Sequence, residues 1–196
     1  MNREELIEYF KVNDEIDIYY EYLLGQSVWY FEKNSQDSSN VYDDFKRFIS
    51  RKLNVPFNNI SIVGSAKTKY SFSPNKDFSE FHESSDFDLI IVSSKIFHSL
   101  WQAYRIIASS SHLNGYVHIT SNIFNNFISV KEDDPNYGNK IIEDWQKTLL
   151  EFKTELQLTF EITHEINYRI YSDWESVEDY HLRGLRKLKS LIYETY

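Results

Sequence analysis

The sequence predicts an α/β fold of the α+β kind, a small mixed β-sheet flanked by helices. Three observations predict it. A short apolar run starting at Ile60 ends in Gly64-Ser65, and a second, ending at Val92, opens with Asp86-Phe87-Asp88; both read as strands. Residues 159–171 alternate, with Phe160, Ile162, Ile166, Tyr168 and Ile170 on one side and Glu161, Thr163, Glu165, Asn167 and Arg169 on the other. The segments around these runs carry apolar residues at helical spacing.

In chain order, residues 3–11 read as a helix with Leu6, Ile7 and Phe10 on one face, and residues 16–24 resume the pattern until Gly25 closes it. Residues 31–39 read as a polar loop. A helix over 40–53 follows, capped by Ser39 and turning Val41, Phe45, Phe48, Ile49 and Leu53 inward, and Pro56 ends it. After Val92 a helix spans 94–109, capped by Ser94, with Ile96, Phe97, Leu100, Tyr104 and Ile107 as its buried stripe; Ser109-Ser110-Ser111-His112 ends it. Residues 116–119 read as a short extended piece and 123–128 as a helical turn. Charge, Pro135 and Gly138 make 131–139 a loop. A helix over 141–156 precedes the alternating strand, and Ser172-Asp173-Trp174-Glu175 reads as a capping box opening a last helix over 174–194. One domain accommodates all of this: a helical part (1–55), a core with both motifs (56–130) and a helix, strand and helix (140–196).

Composition narrows the function. The 196 residues include no cysteine, which excludes disulfides and thiolate zinc sites. A formal net charge of −9 argues against a broad basic surface for duplex nucleic acid, while leaving room for a local basic patch. Aromatic residues make up 17% of the chain, and their spacing assigns most of them to the core or an interface. The chain opens on an amphipathic segment, and no run reaches the length of a membrane span, so a soluble, cytoplasmic protein with no membrane partner is expected. The six histidines (His82, His98, His112, His118, His164 and His181) lack paired metal-ligand spacing, and there is no nucleophile elbow, Walker or dinucleotide glycine motif.

The two strand ends carry the chemistry. Side chains at i and i+2 of a strand share a face, so Asp86 and Asp88 stand side by side while Phe87 and Leu89 turn to the core. Two such carboxylates repel unless a cation sits between them, and Mg²⁺ suits a pair of carboxylates because it completes its shell with water and substrate phosphate. A strand ending in glycine lets the backbone approach a phosphate, and the N–H groups and hydroxyl of Gly64-Ser65 attract anions.

This order of motifs, Ile62-Val63-Gly64-Ser65 followed by Ser85-Asp86-Phe87-Asp88-Leu89-Ile90-Ile91-Val92, resembles the nucleotidyltransferase superfamily with the DNA polymerase beta fold. The fuller pattern, Gly-Ser-Ala, then Tyr70-Ser71-Phe72-Ser73-Pro74, then Ser-Asp-x-Asp, is similar to small bacterial members, several from antiviral defence or toxin–antitoxin systems. The resemblance implies a polymerase-beta-like core with helical additions, in which Gly64 and Ser65 bind an NTP such as ATP, and Asp86 and Asp88 bind two Mg²⁺ ions (Mn²⁺ could substitute). It further implies transfer of a nucleoside monophosphate to an acceptor hydroxyl on RNA, a protein or a small molecule. A third carboxylate on a later strand is expected, and Glu165, or else Glu161, is the acid available. The other reading is an idle nucleotidyltransferase fold, acting as a nucleotide sensor or as the partner subunit of a protein from a neighbouring gene.

Twenty residues separate Ser65 from Asp86, more than the family's usual spacer, so 71–83 reads as an inserted loop, either a lid over the nucleotide or rim decoration. Lys67 and Lys69 follow Gly-Ser closely; triphosphate charge and a solvated helix face explain them equally. Arg169 either touches phosphate or forms a cross-strand pair. Arg183, Arg186, Lys187 and Lys189 make a basic stripe on the last helix, either solvated or an acceptor contact.

Overall fold

The computed structural model describes residues 2–34, 37–110 and 112–195. Helix α1 (Arg3–Val12) is closed at its start by a capping box between Asn2 and Glu5. A short α2 (Glu15–Ile18) runs into a π-helical turn, Tyr19–Leu24. Helix α3 (Trp29–Asn34) occupies part of the expected polar loop, whose Ser35 and Gln36 lie outside the described residues. The reason is visible in the packing: Phe31 is buried against Phe45 and Phe87, so three rings outweigh the polar run that follows.

Helix α4 (Ser38–Leu53) starts before the expected cap Ser39, and Asn54, at φ 51°, ends it. A 3₁₀ turn (Phe57–Asn59) feeds β1 (Ile60–Val63), and a single turn, α5 (Ser65–Thr68), follows Gly64. Strand β2 (Phe87–Val92) leads to α6 (Ser94–Ser110), where Ser93 rather than Ser94 caps, its Oγ accepting from the Ile96 N–H.

The segment after α6 reverses the expectation. Residues Tyr116–Phe124 form helix α7, started by Gly115 at φ 69°, and the two-residue strand β3 (Phe127–Ile128) replaces the expected helical turn. No residue of α7 is fully buried: Ile119 and Ile123 pack against the core while Tyr116, Val117 and Phe124 are exposed, so its apolar residues trace no single inward stripe.

Helix α8 (Lys140–Phe160) also runs further than predicted. Glu161, at φ 53°, is its left-handed cap, which leaves strand β4 only Ile166–Tyr171. Thr159 and Phe160 therefore belong to the helix, and the expected strand is half its predicted length. Helix α9 (Trp174–Thr195) is opened by Asp173, which accepts from the Ser176 N–H.

Among the described residues the strands form one sheet in the order β1-β2-β4-β3, with β2 and β4 parallel and both outer pairs antiparallel. The mixed α/β class is as the sequence predicts. Ile62, Phe87, Leu89, Ile91, Ile166 and Ile170 face the core shared with α4, α6 and α8. Val63, Ile90, Val92 and Tyr171 face the other way, toward Val177 and Tyr180 of α9. A further core joins α1, the π-helical turn and α9 to the inserted loop through Phe10, Tyr19, Phe78, Leu185 and Leu188. No helix among the described residues is long and apolar enough to cross a membrane.

Candidate functional site

The α9 face of the sheet, at the C-terminal end of β1 and the start of β2, opens into a cavity of about 750 Å³, a volume within the range of small-molecule sites. Gly64, Ser65, Asp86 and Asp88 all line it. The two acids therefore point the same way, and the glycine corner faces them. The register explains this: Asp88 lies opposite Val63, and the chain turns out of β1 at the next residue.

Gly64 has φ 71° and ψ −163°, a conformation that side chains avoid. A Cβ there would lie 2.8 Å from Asp88 Oδ2. Glycine is thus required twice, by backbone geometry and by the carboxylate against it.

Asp88 is largely withdrawn from water. Burial raises its pKa above the ordinary aspartate value; Arg169 opposes the rise, Asp86 adds to it and Lys76 opposes it weakly. A carboxylate so placed, beside another, is stabilised by a cation. Two carboxylates fit Mg²⁺ that brings its own water and phosphate ligands. Opposite Asp88 on β4 stands Asn167, which also lines the cavity and offers a neutral amide.

The third acid is not brought to this wall. Glu161 caps α8 and is exposed. Glu165 precedes β4 by one residue; its carbonyl accepts from the Phe87 N–H at 2.8 Å, but its side chain is exposed and does not line the cavity. Among the described residues no group of three or more His, Cys, Asp or Glu side chains is gathered as a metal would need. Asp86 and Asp88 are the two acids among these residues that line the cavity.

Lys67 and Lys69 also lie elsewhere. Lys67 is 3% exposed; its Nζ donates to the Gly25 carbonyl at 2.5 Å and sits 5.6 Å from the Tyr42 ring centre. Burial, with Lys46 nearby, lowers its pKa to about 8. The single turn of α5 turns Lys67 inward, so it ties α5 to the loop after the π-helical turn. Lys69 pairs with Glu80 at 3.1 Å.

Cations that do line the cavity come from three other places: Lys76 in the inserted loop, Arg169 on β4, and Arg183 and Lys187 on α9. Arg169 shares the face of Asn167 by strand alternation and lies 5.3 Å and 5.4 Å from the Phe127 and Tyr180 ring centres. The basic stripe on α9 splits. Arg186 pairs with Glu15 at 2.9 Å and Lys189 donates to the Asn13 carbonyl at 2.5 Å, both holding the N-terminal helices, while Arg183 and Lys187 face the cavity.

The inserted loop forms one wall of the cavity. Tyr70 bridges to Glu80, Arg3 pairs with Asp77, and Phe72 and Phe78 pack edge-on against Phe10 at 4.9 Å and 5.2 Å. His181 of α9 completes the back of the cavity: burial lowers its pKa to about 3, so it is neutral, and its Nε2 has no protein partner among the described residues. Nothing in the helical spacing of α9 distinguishes His181 or Lys187 from surface residues, and the long spacer between Ser65 and Asp86 marked the loop holding Lys76 without singling out the lysine.

Comparisons with protein-family models, with curated proteins and with solved structures find no match to this chain.

Proposed function

We propose that this protein transfers a nucleoside monophosphate from an NTP to an acceptor hydroxyl, with Mg²⁺ bound at Asp86 and Asp88. The observation that carries the reading is the contact of Gly64 with Asp88, which sets an anion-attracting backbone corner against a desolvated carboxylate that has Asp86 beside it in the same cavity. When bound, Mg²⁺ supplies charge neutralisation for the phosphates. Asp86 and Asp88 orient it, with the Asn167 amide beside them. Gly64 and the Ser65 hydroxyl grip the polyphosphate, and Arg169 and Lys76 draw its charge into the cavity. Catalysis of this kind is mostly positioning plus electrostatics, so no nucleophilic side chain is needed.

The position of Asn167, opposite Asp88, favours a second reading: a nucleotide-binding subunit of low or no activity, since an amide cannot replace the third acid's charge. One assay separates the two. Protein, Mg²⁺ and each α-³²P-labelled NTP are incubated with candidate acceptors. Transfer that is lost in Asp86→Asn and Asp88→Asn supports the enzyme; saturable nucleotide binding with no transfer supports the second reading; neither binding nor transfer overturns both.

A further inference from the structure

The cavity carries more positive charge than the corner at Gly64 uses. The charges that act on Asp88 are Arg169, Asp86 and Lys76; Arg183 and Lys187 are not among them and stand on a separate wall, one helical turn apart on α9. Lys187 is exposed and makes no ion pair or hydrogen bond among the described residues. Arg183 is held in place, donating to the Asp179 carboxylate at 3.1 Å and to Asn125 Oδ1 at 3.0 Å. Between them sits Gly184, and nothing lies within 4 Å of where its Cβ would be. A glycine in the middle of a 22-residue helix forfeits about 1 kcal/mol relative to alanine. Here it leaves open space beside the two cations on the cavity wall. His118 and Asn122 of α7, which line the same cavity, supply further hydrogen-bonding groups.

Two cations on one wall of the cavity, beside the open space at Gly184 and with further hydrogen-bonding side chains lining it, suit a phosphate. We propose that Arg183, Gly184 and Lys187 form a second anion subsite that binds a phosphate of the acceptor, which makes the acceptor a phosphorylated hydroxyl compound, either a mononucleotide or the end of a single-stranded oligoribonucleotide. The acceptor class rests on the transferase reading above; the subsite itself does not. In the step it serves, the acceptor hydroxyl oxygen bonds to the α-phosphorus of the NTP as the bond from that phosphorus to its bridging oxygen breaks. Pyrophosphate leaves with the electron pair, and the hydroxyl proton passes to solvent. The net charge of −9 fits a short single strand reaching into a cavity, not a duplex lying on the surface.

The test measures binding without turnover. A 3′-fluorescein-labelled RNA hexamer and, separately, a fluorescent mononucleoside monophosphate are titrated with full-length protein in EDTA and read by anisotropy. Wild type should bind at least one of the two, and which one it binds distinguishes the sources. Lys187→Glu and Gly184→Leu should each weaken that binding about tenfold or more, whereas Asp86→Asn should not weaken it. Lys187 is exposed and Gly184 opens on empty space, so both variants should fold; circular dichroism verifies it. If wild type binds neither probe, or Lys187→Glu and Gly184→Leu bind as wild type does, the subsite is wrong whatever the transfer assay shows. If binding depends on Lys187 but no NTP is used, the subsite stands and the transferase reading fails. Label appearing on protein hydroxyls and not on either phosphorylated probe overturns the acceptor class.

Discussion

Gly64 and Asp88 leave no room for a side chain between them: a Cβ on Gly64 would lie 2.8 Å from Asp88 Oδ2. Since φ is also 71°, Gly64→Ala meets a steric and a conformational cost together. Strain of this kind costs about 1–3 kcal/mol. Urea denaturation should show that loss, and nucleotide binding should fall with it because the carboxylate must shift to accommodate the methyl.

Asp88 sets a pH dependence with a definite sign. Its folded pKa is raised by burial above the unfolded value, so its favourable contribution is complete below the unfolded value and is lost as pH rises through the folded one. Asp88→Asn removes that loss. Without divalent metal, the variant should therefore gain stability relative to wild type as pH rises from about 4 to 8, measured as the difference in urea midpoints. Added Mg²⁺ should raise the wild-type melting temperature and leave the variant unchanged. Metal-dependent transfer in the variant should drop by more than about 100-fold, since loss of groups that merely support a ligand already costs 10–100-fold.

Lys67 behaves in the opposite sense. Burial lowers its pKa from 10.5 to about 8, so the cost of holding it charged is fully present below pH 8 and is relieved as pH rises toward 10.5. Lys67→Met should be more stable than wild type at pH 7, with the advantage shrinking between pH 8 and 10. If Lys67 served a triphosphate instead, the variant would weaken nucleotide binding at pH 7, and the measured affinity decides between them.

What was legible in the sequence was chemistry tied to short-range geometry. Asp86, Asp88, Gly64 and Ser65 meet because strand alternation and a strand-end glycine are local properties, and β1 and β2 pair antiparallel across the loop between them. Glu161 was misplaced because residues 159–163 satisfy a strand's alternation as well as a helix's last turn; Glu161 in the left-handed region, not periodicity, ended α8. Helix α7 was missed because, of its apolar residues, Ile119 and Ile123 turn to the core while Tyr116, Val117 and Phe124 face solvent and blur the helical period. Lys67 could not be assigned from sequence, since its direction depends on where the π-helical turn and Gly25 come to rest, far away in the chain. Lys76 and Lys187 reach the cavity through tertiary packing of the loop and α9, which no local pattern encodes.

The inserted loop should behave as a wall, not a lid. Phe78 is 2% exposed and packs on Phe10, so Phe78→Ala should cost about 3–5 kcal/mol. Native-state hydrogen exchange then checks the coupling: in wild type the Ser71 N–H, bonded to the Ser79 carbonyl at 2.9 Å, should be protected. It should exchange faster in the variant, before the amides of β2 do. A loop already exchanging freely in wild type would contradict the anchoring.

The central claim is that one divalent cation is shared by Asp86, Asp88 and the polyphosphate of an NTP gripped at Gly64. Anomalous diffraction from crystals grown with Mn²⁺ and a non-hydrolysable NTP analogue tests it most directly. The account predicts a Mn²⁺ peak within bonding distance of both carboxylates, with the phosphates against the Gly64-Ser65 turn. A peak bound elsewhere, or a nucleotide seated away from that turn, would contradict it.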